Sequence, residues 1–180
     1  MNMIFHNTID AYNVGIGIDI KNQNANTINQ YFSGIGQKRN GLDIVVANPP
    51  YGTKDYGIAY AEQSKLTDSR WKFGVPSKQE GEYAFLMTIY DLLNKNGKAV
   101  VVMPLGTLFR DGAKNFREQL INEDVVEGIV ELPGNMFLTT SIPVCLWILN
   151  KNKAEADKGK VFMVNASNDF EKVGKFNEWQ

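Results

Sequence analysis

Leu42-Asp43-Ile44-Val45-Val46-Ala47-Asn48-Pro49-Pro50-Tyr51-Gly52 decides the fold of this chain. The aliphatic run at 42–47 reads as a buried strand, and Asn48-Pro49-Pro50 stops it abruptly. Working outward, the elements alternate in type. Residues 52–80 read as irregular, with Gly, Lys, Ser and Pro76. Ser77 and Glu80 then have capping-box spacing, which predicts a helix start. Tyr83, Leu86, Tyr90 and Leu93 fall on one face of that helix, with Phe85, Ile89 and Leu92 beside it. Asn96-Gly97 is its expected close. Residues 98–103 predict the next strand, ended by Pro104, 113–121 a helix, and 125–131 a strand ended by Pro133. Two further strands are expected at 142–149 and 160–164, joined by a charged turn around 151–158. Upstream, 16–20 predicts a short strand, 21–30 a polar loop, and MNMIFHNTI the end of a helix. Strand, helix, strand, helix, strand implies parallel pairing with helical crossovers, hence an α/β sheet. The last two strands lie close in sequence and are expected to form an antiparallel edge hairpin.

Composition narrows the class. At 180 residues the chain is long enough for one domain with a real core. Ten Phe, seven Tyr and three Trp supply ample burial, which excludes a mainly disordered chain. Nineteen Lys and Arg against 20 Asp and Glu give a net charge of −1, so any affinity for nucleic acid must come from a local patch or a partner. The single cysteine, Cys145, excludes an intramolecular disulfide and a cysteine-rich zinc site, and fits a reducing compartment. No apolar run is long enough to span a bilayer, and residues 1–10 lack the charged and apolar regions of a signal peptide. A cytoplasmic protein without membrane attachment is expected.

The chemistry concentrates at 48–51. In open α/β sheets, ligands bind outside the carboxyl ends of strands, which is where these residues fall. Pro49 and Pro50 have fixed φ and no amide hydrogen, so the turn is stiff. The Asn48 side-chain oxygen and the Pro49 carbonyl are both acceptors. Two acceptors on a rigid turn can hold an exocyclic amino group by both hydrogens. Such an amino group is a poor nucleophile because its lone pair is delocalised into the ring or amide. Accepting both hydrogens favours the pyramidal nitrogen that attack requires, and the contacts strengthen as positive charge develops there. Tyr51 offers a flat face on which a planar base can stack. The competing reading is a polyproline segment that binds a WW-like module, or simply a stiff turn.

Asn48-Pro49-Pro50-Tyr51 resembles the amino-methyltransferase signature Asn/Asp/Ser-Pro-Pro-Tyr/Phe/Trp of S-adenosylmethionine-dependent enzymes. The rest of the chain narrows the likeness. MNMIFHN before the signature, and PLGTLFRDGAKNFREQLI, VVEGIVELPGNMF, SIPVCLWILNK and KVFMVNASNDFEK after it, resemble the modification (M) subunit of type I restriction-modification systems. The resemblance implies an adenine-N6 DNA methyltransferase domain with a Rossmann-like seven-stranded sheet and S-adenosylmethionine as cofactor. It also implies a separate specificity subunit that reads the DNA, and a restriction subunit. By the family's pattern Asn48, Pro49 and Tyr51 hold the target adenine, Pro50 fixes the turn, and Asn48 also meets the cofactor. Phe137 falls near a second aromatic that the family places against the flipped base, with core packing as its alternative.

Two departures stand out. The family's glycine-rich cofactor turn belongs upstream of the signature, and nothing in 1–47 matches it. Gly15-Ile16-Gly17 and Gly34-Ile35-Gly36 lack the third glycine and the strand-turn-helix context. We therefore expect residues 1–180 to be the C-terminal portion of a larger catalytic domain. The family also carries a Gly-Asp pair after the strand near 18–21, where this chain has Ala25-Asn26, so Asn26 is the candidate for that cofactor contact. Lys54, Arg70 and Lys72 in the loop after the signature, and Arg110 further on, are candidate DNA contacts, with solvated surface as the alternative. His6 has no partners for a metal site, and Cys145 in its apolar strand reads as a small core residue. Two other functions fit the same signature: methylation of RNA bases or protein glutamine, and a non-catalytic scaffold that binds partner subunits.

Overall fold

The computed structural model describes residues 8–13, 16–21, 41–53, 56–136, 141–173 and 176–179. Seven strands form one sheet in the order β2-β1-β3-β4-β6-β5-β7. They are β1 (Thr8–Asn13), β2 (Ile16–Lys21), β3 (Leu42–Ala47), β4 (Leu93–Pro104), β5 (Val126–Glu131), β6 (Val144–Asn150) and β7 (Phe162–Asn165). A separate antiparallel pair, β8 (Phe170–Val173) and β9 (Phe176–Trp179), follows. The α-helices are α1 (Ile58–Ser64), α2 (Gly81–Leu92) and α3 (Lys114–Asn122). The expected α/β sheet is therefore present, with β3 and β4 parallel and α2 as their crossover.

Three local expectations are corrected. The segment read as the end of a helix is in part β1, which pairs antiparallel with β2 and β3. The helix does not continue to Asn96-Gly97. It ends at Leu92, and Leu93 opens β4 beside Leu42, followed by a bulge before Ile44 meets Lys98. Glycine is required inside that bulge, because a Cβ at Gly97 would lie 2.6 Å from the Leu42 carbonyl oxygen. The edge hairpin of the last two sheet strands is absent. β6 instead lies antiparallel between β4 and β5, and β7 pairs parallel with β5 on its far side. The run Val144–Asn150 is apolar enough to be buried on both sides by strands, whereas β7 is exposed along its length.

The two faces of the sheet differ. Val45, Ala47, Ala99, Val101, Met103, Ile129, Cys145, Trp147 and Leu149 form the core with buried residues from all three helices. Every residue of α2 from Gly81 to Tyr90 is buried, because the loop at 56–76 and α3 cover the side turned away from the sheet. Tyr83 shows the arrangement. Its ring lies 5.5 Å from Phe116 of α3 and 6.1 Å from Trp147 of β6, and its hydroxyl donates to the Thr107 carbonyl at 2.7 Å. On the opposite face Ile44 is 51% exposed and Val46 38%, with Phe162 and Val164 exposed further along. Among the described residues, that face is covered at its carboxyl end, where Val102, Leu132 and Val144 pack with Tyr51, Val130, Met136 and Leu146.

Candidate active site at the carboxyl edge of the sheet

β3, β4, β5 and β7 run in one direction, so their carboxyl ends share an edge. The turn after β3 rises from that edge. Asn48 is only 5% exposed, Pro49 is buried, and Pro50 and Tyr51 are half-buried. The Tyr51 hydroxyl donates to Asn48 Oδ1 at 2.5 Å. Burial pushes the Tyr51 hydroxyl well above its ordinary pKa, with the nearby Cys145 adding to the shift, so at neutral pH it is a neutral donor. The Tyr51 ring packs into the small cluster on the open face of the sheet.

The next residue is held from the other side. Gly52 has φ +65 and donates its amide hydrogen to Glu82 Oε1 at 3.1 Å. Glu82 belongs to the first turn of α2, which packs on the core face. The turn is thus clasped across the sheet edge, by packing on Tyr51 and by a hydrogen bond on Gly52. Glu82 Oε2 accepts from Arg110 Nη2 at 3.1 Å, and Arg110 Nε lies 3.4 Å from Glu80 Oε2. Glu80 is not half of a capping box, since the Ser77 side chain caps nothing. It is a buried acid facing Arg110. Burial pushes its carboxyl up, while the Arg110 charge opposes the shift. Sequence reading missed Glu82. Its signal was a carboxylate in the apolar stretch 81–89, where a charge needs a partner.

Residues 1–179 match the family description N-6 DNA Methylase. This chain belongs to the N-6 DNA methylase family. Curated relatives include the type I restriction enzyme HindI methylase subunit of Haemophilus influenzae, 33% identical over 84% of this chain and 32% of its own length. The MjaVIII methylase subunit of Methanocaldococcus jannaschii is 33% identical over 99% of this chain and 31% of its own length. The chain thus spans about a third of the length of these relatives. Among solved structures, the type I restriction-modification methyltransferase subunit of Streptococcus thermophilus is 31% identical, with a TM-score of 0.70 over 80% of this chain and 30% of that one. The EcoKI M protein, 20% identical with a TM-score of 0.57 over 87% of this chain and 30% of that one, shares the fold. The sheet is Rossmann-like, as expected.

In this N-6 DNA methylase chain the four signature residues come together, and among the described candidates Arg70 and Lys72 are held by other partners. Arg70 is bound in bidentate fashion by Asp68 and stacks over Trp71 at 5.2 Å. Lys72 donates to the Tyr90 hydroxyl at 3.0 Å and pairs with Glu123 at 3.2 Å. Tyr90 lies eight residues beyond Glu82 on α2, about 12 Å along the axis, so Lys72 sits toward the far end of the helix from the turn. Arg110 alone of these reaches the turn, through Glu82. Lys54, Asn26 and Phe137 lie outside the described residues, as do His6 and Gly15. Met136, next to Phe137 in the chain, joins the Tyr51 cluster. Cys145 is fully buried and its thiol is pushed up to about 12, chiefly by burial. Among the described residues no helix is long and apolar enough to cross a membrane.

Proposed function

We propose that this chain carries the methyl-transfer site of an adenine-N6 DNA methyltransferase that uses S-adenosylmethionine. The observation that supports this most directly is the Asn48–Tyr51 turn, rigid and partly buried at the carboxyl edge of a Rossmann-like sheet. The described surroundings suit a cationic methyl donor. Asn48 Oδ1 and the Pro49 carbonyl are neutral acceptors, and the one guanidinium reaching the turn faces two carboxylates. Asn48, and Asn26 from outside the described residues, would hold the cofactor. When bound, S-adenosylmethionine supplies an electrophilic methyl group.

The chain's own residues do the remaining work. Adenine must leave the DNA stack to reach Asn48. Tyr51 then offers its ring as a stacking face, with Phe137 as the candidate second face. Asn48 Oδ1 and the Pro49 carbonyl accept the two amino hydrogens and turn the nitrogen lone pair toward the methyl donor. Pro50 keeps the two acceptors in register. The same acceptors stabilise the positive charge that develops on nitrogen, and the extra proton leaves after transfer. Because the curated relatives are type I methylase subunits, a specificity subunit and a restriction subunit are the proposed partners, with DNA as substrate and a cytoplasmic location.

The test is tritiated methyl transfer measured separately into DNA, RNA and protein, using the methylation-competent assembly that contains this chain. Label is expected in DNA adenine. Asn48→Ala is expected to cut the rate at least about a hundredfold with the fold intact, the scale seen when a preorganised polar contact to the transition state is removed. Label confined to RNA or protein would sink the substrate assignment. A near-parental rate for Asn48→Ala would sink the mechanism.

A further inference from the structure

We propose that Glu82 and Arg110 are positioning residues for methyl transfer, acting through the Gly52 amide on the Asn48–Tyr51 turn. The proposal rests on the reading of that turn as the methyl-transfer site.

Four observations carry it. First, the Glu82 side chain is 5% exposed, so its charge is tolerated only with partners, and both of its oxygens have one. Oε1 accepts the Gly52 amide hydrogen at 3.1 Å, and Oε2 accepts Arg110 Nη2 at 3.1 Å. Second, both terminal nitrogens of the Arg110 guanidinium are hydrogen-bonded, while Nε meets a carboxylate by charge alone. Nη1 donates to the Gln79 carbonyl at 3.2 Å, and Nε faces Glu80 Oε2 at 3.4 Å. Third, the Arg110 backbone is itself anchored. Its carbonyl accepts from Arg117 Nη1 at 2.8 Å, and its amide donates to the Gly106 carbonyl at 3.0 Å. Fourth, α2 is pressed against the chain leaving the turn, since a Cβ at Gly81 would lie 2.2 Å from the Thr53 carbonyl oxygen.

A continuous path therefore runs from the segment after β4, through guanidinium and carboxylate, to the peptide that follows Tyr51. Gly52 has no side chain and sits at positive φ, so without the tether its peptide has nothing of its own to fix it. The catalytic need is for two acceptors aimed at one nitrogen. A shift of about 1 Å in such a pair costs on the order of a hundredfold in rate, while ground-state binding suffers less. A merely structural ion pair would lower the amount of folded protein and leave the rate per folded molecule alone.

The experiment measures single-turnover methyl transfer, KM for DNA and for S-adenosylmethionine, and thermal melting. It uses the methylation-competent assembly carrying Glu82→Ala, Glu82→Gln, Arg110→Gln or Asn48→Ala. Glu82→Ala is expected to lower the rate per folded molecule about tenfold to a hundredfold, with both KM values within about threefold. Glu82→Gln keeps an acceptor for the Gly52 amide and is expected to recover most of that loss. Arg110→Gln should fall between them. A parental rate in Glu82→Ala overturns the proposal. So does equal loss in the Ala and Gln variants, or a loss confined to KM for DNA, which would make Arg110 a direct phosphate contact. If Glu82→Ala does not fold, Arg110→Gln decides, because that side chain is 33% exposed, and a parental rate there overturns the proposal. The parent and Asn48→Ala separate the two failures. An inactive parent, or an active Asn48→Ala, removes the reading of the turn and this proposal with it. A full rate in the Glu82 and Arg110 variants beside a dead Asn48→Ala removes only this proposal.

Discussion

The Tyr51 hydroxyl occupies the acceptor that the proposed reaction needs, donating to Asn48 Oδ1 at 2.5 Å. Oδ1 has a second lone pair, but we expect the adenine amino group to take the place of this short contact. A net hydrogen bond is worth about 0.5–1.5 kcal/mol, so Tyr51→Phe is expected to tighten binding of the target base by up to about tenfold while keeping the ring. Tyr51→Ala loses the stacking face as well, worth about 1–3 kcal/mol, and should weaken binding instead. Single-turnover titration with the target duplex measures both, and a weaker Tyr51→Phe would refute the displacement. Cys145 gives a second prediction. With its thiol buried and pushed up to about 12, it should resist iodoacetamide at pH 8 in the folded chain and react once the chain is unfolded. Asn48–Tyr51 were legible in the sequence because their chemistry is local: a strand, two prolines and an aromatic within one turn. Glu82 was not legible as a site residue, because its partners lie 30 and 28 residues away. The partner of Lys72 was hidden for the same reason. A sequence shows a charge but not the acid that folding brings beside it, as Glu123 is brought to Lys72.

At the scale of elements, most strands and helices from β3 onward were readable, because the strand runs are short and continuously apolar while 81–92 keeps a helical period. Pairing order was harder. Neighbours in sequence usually pair, and that rule placed the sixth and seventh strands together. The contrary signal was in the residues. The sixth strand's run, Val144 to Leu149, is apolar without alternation, as an interior strand should be, whereas 160–164 is short and follows a charged stretch. The register of β5 with β7 supplies a test. Gly128 lies opposite Phe162, and a Cβ there would meet ring atoms at 2.2–2.4 Å. Because the Phe162 ring is 46% exposed and its far end can swing aside, Gly128→Ala should destabilise by about 1 kcal/mol at most in urea unfolding. Adding Phe162→Ala should remove most of the clash, making the double variant less costly than the sum of the singles. For α2, Leu86 is fully buried, and Leu86→Ala should cost about 2–5 kcal/mol.

At the scale of the whole molecule, acid should loosen the fold through specific pairs. Burial alone would raise the Asp68 carboxyl, but hydrogen bonds and charge from Arg70 outweigh it and hold Asp68 below its usual range. Glu123 is held low by the Tyr90 hydroxyl first and by Lys72 after it. A carboxyl lowered in the folded state binds its proton more readily once unfolded. Its contribution is therefore complete above the unfolded value and drains as pH falls through the folded one, below about pH 4. Glu80, raised by burial, works in the opposite sense, since its protonation favours the folded state. Urea midpoints are expected to hold between pH 7 and 5 and to fall toward pH 3, and Asp68→Asn should flatten part of that fall.

The antiparallel sixth strand also dictates a schedule for biosynthesis. β5 leaves the ribosome before either of its sheet neighbours, and β4 waits with one edge bare until Val144–Asn150 has emerged. A nascent chain halted near Glu131 would already hold Asn48, Tyr51, Glu82 and Arg110. It would lack Val144, which closes the cluster around the Tyr51 ring. The Asn48–Tyr51 turn is translated early, yet the cluster around its tyrosine ring closes when a strand made almost a hundred residues later slides into the middle of the sheet.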